Sequence, residues 1–276
     1  MAVAGDMDFE RRFGGIARLY GEAGLARLTV AHAVVVGIGG VGSWAAEALA
    51  RSAVGRLTLI DLDHVAESNT NRQIHALDGE YGRAKVEAMA ARIRTINPTC
   101  DVRLIDDFVT PENVSELLRQ GSSPECVVDA IDQIRAKAAL IAHCRAAGLP
   151  VVTTGAAGGR RDPTRIRVDD LARTEHDPLA ARLRAQLRKD YGFPREAKRK
   201  FGVECVYSVE PIVRPGEAVC EAEALACDID VAPPDHRRPQ GLNCAGYGSA
   251  TMVTASFGLV AAARAVDLLL AGDDSR

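Results

Sequence analysis

Short apolar runs and longer stretches of helical period take turns along the first 155 residues. Ala33-Val34-Val35-Val36 is an unbroken, valine-rich run, the pattern of a strand buried on both faces of a sheet. Residues 41–52 follow as a helix; Ala45, Ala46, Ala48, Leu49 and Ala53 give it a small-residue face that can lie close to a sheet. Leu57-Thr58-Leu59-Ile60 reads as a second strand, and a polar loop runs from it to about Leu77. Val86, Met89, Ala90 and Ile93 recur at helical spacing and predict a helix over 85–96, ended by Asn97-Pro98. Residues 102–105 read as a third strand, Pro111 opens a short helix, and 126–130 form a fourth strand. A helix then runs on to about residue 147, and 149–153 form a fifth strand ending near Gly155. Strands alternating with helices at this rhythm predict an α/β chain with a doubly wound, mostly parallel sheet.

After Gly155 the rhythm changes. Gly158-Gly159 marks a turn, and Ile166 and Val168 a strand. Asp177-Pro178 is a helix N-cap followed by a first-turn proline, with Leu179, Leu183 and Leu187 on one face. Residues 193–202 are basic and loop-like, 203–209 form another strand, and 249–270 form a final helix. Residues 211–246, rich in proline, cysteine and acids, show no pattern. The division expected is a nucleotide-binding half over 1–155 and a second half over 156–276, within one continuous fold.

Composition sharpens this. The chain has 276 residues, 47% of them apolar, ample for one large core. A net charge of −3 excludes a global field drawing the chain to nucleic acid or membrane. The charge is uneven, however: residues 160–200 hold thirteen Lys/Arg against seven Asp/Glu. Within that segment Arg195, Lys198, Arg199 and Lys200 are the candidates for contact with a polyanion. Seven cysteines, odd in number and without CxxC spacing, argue against a disulfide framework and a structural zinc. Residues 249–263 are apolar for fifteen positions, short of the roughly 20 that a membrane span needs; a buried or interface helix is expected. Residues 1–12 lack the basic start and apolar stretch of a secretion signal, so the cytoplasm is the expected compartment.

Candidate chemistry begins at Gly37-Ile38-Gly39-Gly40-Val41-Gly42, between a strand and a helix. Such a turn lets backbone N–H groups meet a phosphate at a helix N-terminus, in a Rossmann-like setting. By itself it does not choose between NAD, FAD and ATP. Asp61, at the end of the second strand, is placed to accept hydrogen bonds from ribose hydroxyls; Asp63 competes for that role. Asn69-Thr70-Asn71-Arg72-Gln73 then brings an arginine, and Lys85 opens a helix. Guanidinium matches phosphate oxygens as a planar fork. A lysine is poorly placed at a helix N-terminus unless an anion lies nearby. Together they point to a triphosphate. Asp129-Ala130-Ile131-Asp132 ends the fourth strand, where parallel sheets bind ligands. Mg2+ prefers a few carboxylates plus phosphate oxygens and water, which favours Asp132 as its ligand; Asp129 could instead cap the next helix.

These residues, in this order, resemble the ubiquitin-activating-type adenylating enzymes, which include the activators of the molybdopterin and thiamine sulfur carriers. The segments around residues 13–21, 37–44, 70–77, 106–111 and 249–257 are similar to the branch that dehydrates threonylcarbamoyladenosine in tRNA. The resemblance implies ATP held by Gly37, Gly39, Gly40 and Gly42, with Asp61 on the ribose, Asn69, Arg72 and Lys85 around the phosphates, and Asp132 on Mg2+. Arg72, Lys85 and Asp132 would then be the catalytic groups. It also implies a homodimer, a tRNA substrate bearing threonylcarbamoyladenosine, a second half serving substrate binding and dimerisation, and room for a sulfur-transfer partner from a cysteine desulfurase system. The sulfur-carrier activators extend an N-terminal arginine into a partner's site; Arg11 and Arg12 lie near that place. Cys205 is the cysteine to watch, since related activators use cysteines for acyl or sulfur transfer, although a small buried apolar role is the plainer reading. The alternatives are an activator of a ubiquitin-like sulfur carrier, a nicotinamide oxidoreductase, which needs neither Arg72 nor Lys85, and a nucleotide-dependent binding protein without turnover.

Overall fold

The computed structural model describes residues 8–119, 123–196, 199–213 and 247–272. Lys198 and most of the 211–246 stretch lie outside the described residues.

Seven strands form one sheet: β1 His32–Val36, β2 Arg56–Ile60, β3 Asp101–Ile105, β4 Cys126–Asp129, β5 Val151–Thr154, β6 Ile166–Asp170 and β7 Glu204–Ser208. Their order is β3-β2-β1-β4-β5-β7-β6. All neighbours run parallel except β6, which pairs antiparallel with β7. The helices are α1 Phe9–Val30, α2 Gly42–Arg51, α3 Lys85–Ile96, α4 Val114–Arg119, α5 Ile134–Ala146, α6 Pro178–Asp190 and α7 Thr251–Ala271.

The period-2 alternation of a strand explains the two-sided core. In β1, Ala33 and Val35 join the layer formed with α2, α3 and α7, while Val34 and Val36 join the layer formed with α4, α5 and α6. Helix α7 is long and apolar enough to cross a membrane by length and composition, yet 56% of its most apolar window is buried inside the chain. It lies so close to α2 that a Cβ on Gly258 would meet the Val41 carbonyl oxygen at 2.3 Å. Phe257 is fully buried beside that contact, worth about 2–3 kcal/mol of transfer free energy.

Helix α6 starts as its sequence dictates: the Asp177 side chain accepts from the Ala180 N–H, and Pro178 follows. Helix α1 has no counterpart in the sequence reading. It contains Gly14, Gly15, Gly21 and Gly24, kinks at Gly21, and is anchored by Phe13, Ala17 and Leu25. Arg12 on this helix donates to the Thr95 and Ile96 carbonyls at 3.3 and 2.9 Å. It therefore caps the C-terminus of α3 within its own chain.

The strand order reverses between β1 and β4. From β1 the sheet builds outward through β2 and β3 on one side, and through β4, β5 and β7 on the other. The carboxyl ends of β1 and β4 therefore diverge into a crevice, where doubly wound sheets hold ligands.

Candidate functional site

A cavity of about 430 Å3 fills that crevice. Gly37, Gly39, Gly40, Asp61, Asn69, Arg72, Lys85 and Asp132 all line it, so the fold gathers side chains spread over almost one hundred positions into one volume.

The glycine turn forms the floor. Gly37 has φ +86°, in the left-handed region that disfavours a side chain. Gly40 is covered by Arg72: a Cβ there would sit 3.1 Å from Arg72 Cγ. Gly42 does not line the cavity. It is buried at the start of α2, where a Cβ would lie 1.8 Å from the Gly37 carbonyl oxygen. Its contribution is to let the helix begin hard against the turn. The first N–H groups of α2, which lack intrahelical acceptors, then face the cavity floor.

Asp61 directly follows β2 and is held by the turn it faces. The Ile38 N–H donates to Oδ2 at 2.5 Å and the Asp63 N–H to Oδ1 at 2.8 Å. Burial raises its carboxyl above the ordinary value, opposed first by the charge of Lys85. Asp63, the competing acid in the sequence, lines the same cavity. Its side chain is 59% exposed and pairs with Lys85 Nζ at 2.7 Å, while Asp61 lies 4.0 Å from the same ammonium. Lys85 is itself buried and is thus poised between the two acids at the head of α3.

Arg72 projects from the loop after the 3-10 turn Glu67–Asn69. Its guanidinium donates to the Ser68 carbonyl at 2.8 Å and to Asn71 Oδ1 at 2.9 Å, while Nε is buried without a partner. The loop is tied down from three directions. Asn69 Oδ1 accepts from the Ala66 N–H, Trp44 Nε1 of α2 donates to the Arg72 carbonyl at 2.9 Å, and Asn71 Nδ2 donates to the Ser249 carbonyl at 2.8 Å. Thr251 of α7 donates its hydroxyl to the Asn71 carbonyl. The arginine is therefore fixed at its backbone, and its guanidinium is turned back onto its own loop, with only Nε left unpaired.

The two acids at the carboxyl end of β4 separate cleanly. Asp129 is fully buried. It accepts from Thr153 Oγ1 at 2.6 Å and pairs with Lys137 Nζ at 3.0 Å; it does not cap α5. Lys137, fully buried too, also donates to the Asp129 and Ile131 carbonyls. This cluster, which the sequence reading missed, pins the turn from 129 to 132. Asp132 is left on the cavity wall and makes no ion pair or hydrogen bond among the described residues. A carboxylate left free on the wall of this cavity is the kind of group that could hold Mg2+, which takes one or two carboxylates and fills its shell with phosphate oxygens and water.

The opposite wall comes from residues after β5. Gly155, Ala156, Ala157 and Gly158 line the cavity with Thr154, Leu179 and Ser249. Asp177 holds this segment by accepting from the Ala156 N–H at 2.9 Å. Arg160, buried, donates to the Ala156 and Glu210 carbonyls and lies 3.6 Å from Asp177. Phe108, 49% exposed on the rim beyond β3, is a further wall residue that sequence patterning did not single out.

Two other features singled out in the sequence lie away from this cavity. Cys205 is fully buried in β7 within the core, and burial pushes its thiol well above the ordinary range, which removes the thiolate that group transfer needs. Arg195, Arg199 and Lys200 are exposed on the loop leading into β7, at the amino ends of the strands and so at the end of the sheet opposite the cavity.

With this geometry in view, comparison with known proteins is informative. A family model described as the ThiF family matches residues 13–275. The tRNA threonylcarbamoyladenosine dehydratase of Escherichia coli (strain K12) is 53% identical over 274 residues, covering 98% of each chain. That of Haemophilus influenzae is 47% identical over 265 residues, covering 95% of each. Crystal structures of the E. coli tRNA N6-threonylcarbamoyladenosine dehydratase in complex with ATP and with AMP superpose with TM-scores of 0.83 and 0.82. Both are 50% identical and cover 97% of each chain.

Proposed function

This chain belongs to the ThiF family, and from that premise we propose that it dehydrates threonylcarbamoyladenosine in tRNA to its cyclic form, using ATP to adenylate the substrate carboxylate. The observation that carries this reading is the convergence of the glycine turn, Asp61, Arg72, Lys85 and Asp132 on one cavity, in a chain nearly co-extensive with dehydratases of that name.

ATP lies with its phosphates on the turn and the start of α2, where free N–H groups and the helix dipole favour negative charge. Asp61 holds the ribose. Arg72 and Lys85 meet the phosphates, Lys85 exchanging Asp63 for a phosphate oxygen. Asp132 would hold Mg2+, which supplies charge neutralisation on the polyphosphate. The free carboxylate of the threonyl group attacks the α-phosphorus, its oxygen forms the new P–O bond, and pyrophosphate leaves. Negative charge builds on the α-phosphate and the leaving group, within reach of Arg72 and Lys85, where fixed positive groups lower the barrier. A carbamoyl nitrogen or oxygen of the same substrate then closes on the activated carbonyl, a carbamoyl N–H gives up its proton, and AMP departs with the carboxylate oxygen. Ring closure within one bound molecule needs mainly orientation, since effective molarities for such steps reach about 10⁵ M and above. No covalent enzyme intermediate is needed.

Within this scheme residues 1–155 serve the nucleotide, and residues 156–276 serve substrate binding and dimerisation. The protein acts in the cytoplasm as a homodimer. Met252 and Leu259, 64% and 48% exposed on α7, supply apolar surface for the second copy. Arg195, Lys198, Arg199 and Lys200 meet the tRNA backbone.

Isotope transfer tests the chemistry. With heavy oxygen in the substrate carboxylate, one label must appear in AMP. Label retained wholly in the nucleoside, or found in pyrophosphate, would contradict carboxylate adenylation.

A further inference from the structure

Away from the nucleotide cavity, the C-terminal ends of α5 and α6 and the loop before β7 enclose a second concavity of about 510 Å3. Arg145, Tyr191, Arg199, Lys200 and Phe201 are among the residues that line it. Its frame is preformed. The Phe193 and Phe201 rings pack edge-on at 5.0 Å and close the base of the loop. Arg188 lies 5.3 Å above the Phe201 ring and donates to the Pro194 carbonyl at 3.1 Å. Gly202 has φ +68°, and a Cβ there would touch Arg145 Cζ at 3.0 Å, so the Arg145 guanidinium rests flat on the backbone.

The charges around this hollow are unbalanced. Arg145, Arg195, Arg199 and Lys200 make no ion pair among the described residues. The nearby acids are fewer. Asp170 turns its carboxylate to the Phe201 and Gly202 N–H groups at 2.9 and 2.7 Å, Asp190 is bonded by Gln186, and Glu196 sits on the loop itself. Helix dipoles account for part of this: α5 and α6 both end here, and Arg145, Arg188 and Lys189 lie in or beside their last turns, where cations are favoured. They do not account for Arg199 and Lys200, which belong to no helix, nor for Tyr191, 37% exposed at the mouth.

We propose that this concavity is a second RNA-binding site, in which an unpaired nucleotide of the tRNA stacks on Tyr191 while Arg145, Arg199 and Lys200 hold the adjoining phosphates. Aromatic faces interleaved with cations are the means by which proteins bind single-stranded RNA without reading its sequence. Helix α5 runs the length between the two sites, from Gln133 and Ala136 on the cavity wall to Arg145 and Ala146 here. Its 13 residues put them about 20 Å apart. The second site therefore touches RNA well removed from the reacting base, and selects a folded tRNA over a free nucleoside. This rests on the reading of the chain as a tRNA-modifying enzyme.

Binding of the full chain to unmodified tRNA, measured across a salt series, tests this without depending on turnover. The variant Arg145→Gln/Arg199→Gln/Lys200→Gln is expected to lower the slope of log affinity against log salt by about 2–3, since each lost phosphate contact removes roughly 0.7–0.9. Tyr191→Ala is expected to weaken binding about tenfold at fixed salt, and Tyr191→Phe to restore it. Wild-type ATP affinity in each variant establishes that the fold is intact. An unchanged slope and unchanged affinity would overturn the site. So would a triple variant that keeps tRNA but loses an acidic sulfur-transfer protein. Product formation by the wild type is measured separately, so failure of the dehydratase reading is distinguishable from failure of this one.

Discussion

Lys137 and Asp129 illustrate what a single pair contributes to the site. Both are removed from water, a state that costs several kcal/mol per ion and is offset here by Thr153 and two carbonyls. Removing one partner leaves an unpaired buried charge. Lys137→Met alone is therefore expected to lower unfolding free energy by about 3–5 kcal/mol, and Lys137→Met/Asp129→Leu by clearly less; denaturant unfolding of the single and double variants measures the difference. His75 makes a separate, pH-dependent contribution. It is buried with neither ring nitrogen hydrogen-bonded. Burial, reinforced by Lys85 and Arg92, lowers its pKa from 6.5 to about 4. The unfolded chain thus binds a proton between those values that the folded chain refuses. Stability from this group is complete above about pH 6.5 and falls as pH drops towards 4, by about 3 kcal/mol in all. Unfolding of a His75→Leu variant across that range is expected to lack this component. Sequence could not expose either device: a lysine in a helix and a histidine in a loop carry no mark of burial until the surrounding elements pack.

At the scale of elements, the glycine turn depends on a helix far along the chain. Gly258 of α7 sits against the Val41 carbonyl and Trp44 of α2, and Trp44 in turn bonds the Arg72 loop. Gly258→Ala would push α2 off α7, a strain of about 1–3 kcal/mol for an overpacked contact. ATP affinity should fall with stability, because the displaced element carries the turn; calorimetric titration of ATP against a thermal melt reads both. The elements of the first half were legible because their patterns are strong: β1 through β5 and α3 fall within one or two residues of the expected bounds. Helix α1 was not. Four glycines dilute its helical signal, and it is held by packing of Phe13 and Leu25 rather than by propensity. Asp61 and Asp63, close rivals in the sequence, take different partners in three dimensions, where one meets the Ile38 N–H and the other Lys85.

The whole molecule adds what no local pattern contains. Strand order, the antiparallel β6 and the reversal between β1 and β4 arise from how the layers pack, and the reversal creates the cavity. The glycine turn, Asp61, Arg72, Lys85 and Asp132 were each visible as residue types suited to a nucleoside triphosphate. That they share one cavity, and that the basic loop lies at the far end of the sheet, follow from the topology alone. The two ends give the picture we propose: chemistry where strands finish and RNA contact where they begin, with α5 as the strut between. The most direct test of the central claim is pyrophosphate release from Mg-ATP with and without tRNA carrying threonylcarbamoyladenosine, coupled to mass spectrometry of the recovered nucleosides. The account predicts one pyrophosphate for each nucleoside made lighter by one water, with both lost in Asp132→Ala. Pyrophosphate without that change in mass, or no release with the modified tRNA, would contradict it.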